Sequence, residues 1–217
     1  MTKEELINAI VEKEWLMFTT VNGEDRVSCQ EDRTTFNIMR IAQYTAWSEE
    51  TVQCFYEDIC AAEKEGRNLS KEKYIYMMRS TDPAGYEHFK SFLPPVTEEK
   101  QALVDAIWAK MLVQTERMRK KYPLLVLGGR PVHASEERSG WASIETYQTS
   151  EMLTYSVATL KALLAHIEEL EKEGKDLAFI IQENSVLGLG YSSLIEAENA
   201  LAEQYGMQIS YGGCCGC

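Results

Sequence analysis

Histidine is scarce in this chain: only His88, His133 and His166 occur, widely spaced. None lies three residues after a glutamate, the spacing that helical di-iron carboxylate sites require, so ferritin-like oxidation chemistry is disfavoured. The phosphate-cradling G-x-x-x-x-G-K-[ST] loop is absent, as are a G-x-G-x-x-G turn after a strand, a G-x-S-x-G elbow and H-E-x-x-H. Leu187-Gly188-Leu189-Gly190 has two glycines where a dinucleotide fingerprint needs three, and it follows a helical pattern, so it reads as a helix stop.

No run approaches the ~18 uncharged apolar residues that a membrane-spanning helix needs. The opening MTKEELINAI lacks the basic region and apolar run of a secretory signal. Both absences lead us to expect a soluble cytoplasmic protein with no membrane partner. Positive charge is also in deficit: 34 acidic side chains face 22 basic ones, a formal charge of -12. Such a surface repels a phosphate backbone, so nucleic acid is not an expected partner. The one dense basic run, Arg117, Arg119, Lys120 and Lys121, precedes Pro123 in what reads as the last turn of a helix, where cations complement the helix dipole.

What is present is mostly helical periodicity with capping signals. Thr2 and Glu5 have capping-box spacing ahead of Leu6, Ile7, Ile10, Val11, Met17 and Phe18. A second helix is expected over 31–46 and a third from Ser48 to Gly66. Others follow from Ser70, from Asp82-Pro83, from Thr97 to Pro123, from about Ser150, from Lys175 and from Ser193. The fold class expected is mainly α, about eight helices with at most one small β-sheet. That sheet would draw on Leu124 to Leu127, Trp141 to Tyr147 and Met207 to Tyr211. Pro94-Pro95 is the only tolerable boundary and no repeat is found, so residues 1–211 read as one domain and 212–217 as a flexible tail.

That tail is Gly212-Gly213-Cys214-Cys215-Gly216-Cys217. Cys214, Cys215 and Cys217 on so free a backbone could wrap a soft metal ion or an iron–sulfur cluster, exchange disulfides, or reach a partner protein. Three sulfurs are one short of a closed tetrahedral zinc site, so a fourth ligand would have to come from elsewhere. Cys29, Cys54 and Cys60 read as incidental thiols.

A second signal is polar residues on core-facing stripes. At 100° per residue Glu14 falls among Ile7, Ile10, Val11 and Phe18, and Asp32, Arg40 and Gln43 fall on the face of Phe36, Met39 and Trp47. A buried carboxylate needs a cation, and Arg40 is the natural partner of Glu14. The pair is either a structural lock between two helices or the wall of an interior pocket for a small polar ligand. In the polar segment between Arg130 and Glu151, Arg130, Glu145 and Tyr147 are further candidates for ligand contact.

The stretches EKEW at Glu12 to Trp15, Ser-Cys-Gln at Ser28 to Gln30, TTFNIMR at Thr34 to Arg40, and ETY followed by LTYSVATL at Glu145 to Leu160 resemble a bacterial family, domain of unknown function 4125. The resemblance covers nearly the whole chain and implies a single bacterial domain without implying any chemistry. Three functions thus stand side by side: a thiol-based metal-binding or redox protein acting through its tail, an enzyme or sensor with a pocket at Glu14 and Arg40, and a helical interaction module.

Overall fold

A computed structural model of the chain describes residues 1–21, 30–127, 130–138 and 141–206. These form eleven α-helices: α1 (Lys3–Thr19), α2 (Arg33–Ala46), α3 (Glu49–Lys64), α4 (Leu69–Thr81), α5 (Pro83–Phe89), α6 (Glu98–Lys121), α7 (Pro123–Leu127), α8 (Ile144–Met152), α9 (Val157–Lys172), α10 (Leu177–Gly188) and α11 (Leu194–Gln204). Among the described residues there is no β-strand, only an isolated antiparallel bridge between Arg138 and Trp141. No described helix is long and apolar enough to cross a membrane.

Most helix starts follow their capping chemistry. Thr2 and Glu5 close both halves of a capping box, and Ser48, Thr97 and Ser193 each accept the backbone N–H three residues on. Asp82 caps α5 ahead of Pro83. Gly66 and Gly206 take the left-handed conformation, φ +70° and +64°, just after α3 and α11.

The departures have local causes. Eleven helices stand against the nine expected starts because α7 takes the place of the first expected strand, and α8 takes in the second together with the first residues of the helix expected from Ser150. Leu124 to Leu127 lies in α7: Pro123 supplies a first-turn φ, and the buried Glu198 carboxylate accepts the N–H groups of Leu124 and Leu125, both at 2.8 Å. A four-residue apolar run has no periodicity to distinguish the two states. The expected strand Trp141 to Tyr147 becomes a cap and a helix, since Ser143 Oγ accepts Thr146 N–H at 2.9 Å and starts α8.

The helix expected from Ser150 is interrupted. Its first turns belong to α8, and Ser156 caps a new helix, α9, with Asp58 of α3 accepting Ser156 N–H at 2.8 Å. Asp32 caps α2, which therefore starts at Arg33. Met207 to Tyr211, Cys29 and the tail cysteines lie outside the described residues.

One core runs from α1 to α10. α10 packs on α2, α9 on α6 and α3, α1 on α3, and α4 on α8. Tyr44, Trp47, Phe55 and Tyr155 meet in its centre with ring centroids 4.8–5.9 Å apart. A smaller cluster of Met118, Tyr122, Val126, Val132, Val186, Leu194 and Ala197 fastens α7 and α11 to α6 and α10.

The α2–α10 contact is tight at Gly188, where an added Cβ would stand 2.7 Å from Ile38 Cγ2. Gly188→Val should therefore lower stability by about 2 kcal/mol through overpacking, read as a shift in the urea midpoint at unchanged slope.

Candidate functional site

Helix α2 carries Arg40, Gln43 and Tyr44, and the i, i+3 and i, i+4 spacing sends all three toward the same neighbours. The Arg40 guanidinium lies between two carboxylates from different helices. Its Nη2 donates to Glu14 Oε1 of α1 at 3.0 Å and to Glu151 Oε2 of α8 at 3.4 Å. Its Nη1 donates to Glu151 Oε1 at 2.8 Å and to Gln43 Oε1 at 3.0 Å.

Three further groups complete the cluster. Tyr44 OH donates to Glu14 Oε2 at 2.7 Å, and Tyr155 OH donates to Glu151 Oε1 at 2.9 Å. From α4, Lys73 Nζ donates to Glu151 Oε2 at 3.2 Å and to Tyr147 OH at 2.8 Å. Glu14, Lys73 and Glu151 are 6%, 4% and 7% exposed, so two anions and two cations share a space almost without water.

Burial alone would raise the pKa of both carboxylates. For Glu151 the opposing fields of Arg40 and Lys73 win, and its pKa is held well below the usual carboxylate range. For Glu14 burial wins: Arg40, Tyr44 and Lys73 pull its pKa down, but the desolvation, reinforced by the charge on Glu151, leaves it raised. Burial opposes the charge on Lys73 too, yet Tyr147 and Glu151 keep its pKa above the ordinary lysine value. Arg40 is likewise held charged against desolvation by Glu14 and Glu151.

This cluster borders a cavity of about 500 Å³. Arg40, Gln43, Lys73, Tyr147 and Glu151 face it on one side, and buried Trp47, Ile107, Met111, Leu163, Ile167 and Leu177 form an apolar wall. Exposed Asp32, Met39 and Arg130 stand at its edge.

Of the residues singled out in the sequence, Asp32, Arg40, Gln43, Arg130 and Tyr147 thus border one cavity. Asp32 does so as the exposed cap of α2, not from a core-facing position. Arg130 stacks on the Tyr147 ring, 5.0 Å from its centroid, and donates to Ala142 O at 3.1 Å. Glu14 stands behind Arg40 and is not part of the main cavity's lining. Glu145 is placed elsewhere: its carboxylate accepts Ala134 N–H at 2.8 Å and braces the segment before α8. The pocket expected around a polar pair is therefore mainly apolar.

Sequence reasoning passed over Lys73, and Glu151 entered only as one member of a polar segment. Lys73 carried a signal: Leu69, Glu72, Lys73 and Tyr76 form one i, i+3, i+4, i+7 stripe of buried residues. Glu72 on that stripe is held by Arg67 through two hydrogen bonds of 2.8 Å, a structural clasp separate from the cavity.

A family model described as a protein of unknown function, DUF4125, matches residues 4–199. The chain belongs to this family. No curated protein and no solved structure matches. The stretches on which the resemblance rests, read onto the fold, supply Glu14, Phe36, Arg40, Tyr147 and Tyr155, all of which stand in the charged cluster or on the cavity wall.

Proposed function

We propose that this DUF4125 protein is a cytoplasmic binding protein for a small amphipathic molecule, held in the cavity with its apolar part against Trp47, Ile107, Leu163 and Leu177 and its polar end at the Arg40–Lys73–Glu151 cluster. The observation that carries this reading is the cavity itself, about 500 Å³ of space beside a fully paired set of buried charges. An ion cluster that only locks helices together needs no void next to it. Protein interiors are close-packed, and a pocket beside Leu163, Ile167 and Leu177 leaves apolar wall that the apolar part of a ligand would cover. The volume lies in the range of ~300–1,000 Å³ typical of small-molecule sites. The same void weighs against a purely interacting helical module.

Ile181 lines the cavity from α10 and is half-buried, so Ile181→Trp should put a bulky ring into the space that the apolar part of a ligand would occupy. Native mass spectrometry of the purified chain should show an adduct that disappears on denaturation and is missing from this variant. A native mass equal to that of the bare chain, together with no change in Tm across a library of small amphiphiles, would sink the reading.

A separate reading rests on Cys214, Cys215 and Cys217, crowded into six residues made only of Gly and Cys. Three sulfurs are one short of a closed tetrahedral site, so a soft ion held there would need a fourth ligand from elsewhere, from solvent or from another chain. Anaerobic purification with elemental analysis is the test. Metal lost on truncation after Tyr211, with Tm unchanged, would support it; a metal-free full-length chain whose tail thiols react no faster than a free peptide's would remove it.

A further inference from the structure

We infer, resting on the cavity reading above, that the ligand is an organic monoanion, a carboxylate on an apolar body, whose head group is received by Lys73, Tyr147 and Arg130. The buried acids beside the cavity have no hydrogen-bonding capacity left for a ligand's donor. Glu151 accepts from Arg40 twice, from Gln43, from Lys73 and from Tyr155. A carboxylate offers about four lone-pair sites, so Glu151 has nothing left for a ligand's donor. Glu14 is engaged through both oxygens and lies behind Arg40. The other acid on the wall, Asp32, is at the exposed edge and caps α2 through Thr35 N–H at 3.0 Å. An ammonium head entering beside Lys73 would meet another cation, and the two buried carboxylates have no lone pair to spare for it.

Donors are in surplus at the same place. Lys73 has three N–H groups, of which two are used, on Tyr147 OH and Glu151. Tyr147 OH accepts from Lys73, and among the described residues no acceptor takes its own proton. Arg130 stacks over the Tyr147 ring and gives Nη1 to Ala142 O, and its remaining N–H groups have no acceptor among the described residues. Three donors on the lining of one cavity, with spare hydrogens and two of them on cations, suit an acceptor-only head group.

Charge selects among anions. Arg40, Lys73 and Arg130 against Glu14, Glu151 and Asp32 is three against three, formally neutral. One added negative charge can be offset by a proton on Glu14, whose burial already raises its pKa. The second charge of a phosphate monoester would have no counterpart, which favours a carboxylate. The apolar body packs against buried Trp47, Ile107, Leu163 and Leu177, and the carboxylate comes to rest beside buried Lys73 and half-buried Tyr147, with exposed Arg130 at the cavity's edge.

The full-length chain is titrated calorimetrically with two apolar bodies, a decyl chain and a phenylpropyl group, each carried as carboxylate, primary ammonium, alcohol and phosphate monoester. The carboxylates are expected to bind roughly tenfold or more tighter than the alcohols, the yield of one charge-assisted hydrogen bond. Tyr147→Phe and Arg130→Gln should each remove about that factor from the carboxylates and leave the alcohols unchanged. Both side chains lie toward the surface, so these variants keep the test open where Lys73→Met fails to fold. Equal or tighter binding of an ammonium or a phosphate monoester, or variants that lose nothing, overturns the head-group assignment and leaves the cavity reading standing. If no probe binds while the native mass shows an adduct, the assignment also falls alone; if neither appears, both fall.

Discussion

Replacing Glu151 by glutamine should lower the unfolding free energy by on the order of 3–5 kcal/mol, the range for removing one partner of a buried ion pair. Its carboxylate is the hub of the cluster, receiving Arg40, Gln43, Lys73 and Tyr155 at 2.8–3.4 Å. Glutamine keeps one oxygen and turns the other acceptor into an N–H₂ group aimed at donors, so Arg40 and Lys73 stay buried with too little negative charge. The effect should depend on pH. Burial by itself would raise the Glu151 pKa, but Arg40 and Lys73 depress it well below the ordinary range. A depressed carboxylate contributes stability that is present above its unfolded pKa, about 4.3, and lost as pH falls toward the folded value. The gap between wild type and Glu151→Gln should thus be full at neutral pH and narrow below about pH 4. Urea unfolding of both proteins at neutral and acidic pH measures it. A neutral-pH difference under about 1 kcal/mol would mean that Glu151 does not hold the cluster together.

Half of that cluster was legible in the sequence, and the reason is geometric. Glu14 and Arg40 sit inside two long helices with apolar residues of the same face on both sides, Ile10 and Met17 around Glu14 and Phe36 and Trp47 around Arg40, so a projection at 100° per residue turns them toward each other. Glu151 sits in the last turn of a nine-residue helix, α8, followed at once by Leu153 to Tyr155 and the Ser156 cap. Leu153, Val157, Leu160 and Leu164 have one period across that break, which makes two helices look like one and gives Glu151 the wrong face. Lys73 lies on a readable stripe, but a lysine between Leu69 and Tyr76 has no visible anion partner until α8 is placed against α4. The helical class followed from the caps. The number of helices did not, because α7 leans on a cap from Glu198, 74 residues away from Leu124.

Arg40→Met should be about as costly as the loss of Glu151, on the order of 3–5 kcal/mol at neutral pH, but its acid behaviour should differ. With Arg40 gone, Glu14 and Glu151 face each other with Lys73 as the only cation and Tyr44 and Tyr155 as neutral donors. Burial already raises the Glu14 pKa, Glu151 adds to it, and Arg40 is the largest opposing influence. The variant's Glu14 should therefore titrate at a still higher pH than in the wild type. A carboxyl whose folded pKa exceeds its unfolded one costs stability in full above the folded pKa and is relieved as pH falls toward about 4.3. The deficit of Arg40→Met should accordingly begin to shrink on acidification from neutral pH, before the range in which the Glu151→Gln gap closes. Glu14→Gln supplies the internal control. In the Arg40→Met background it removes the stranded charge and should recover roughly 1–3 kcal/mol, whereas in the wild type it breaks a satisfied pair and destabilises. Stability curves of the two single variants and the double variant, run from neutral pH to the carboxylate range, test both signs together. An Arg40→Met profile parallel to the wild type's, with no recovery in the double variant, would show that Arg40 does not set the charge state of Glu14.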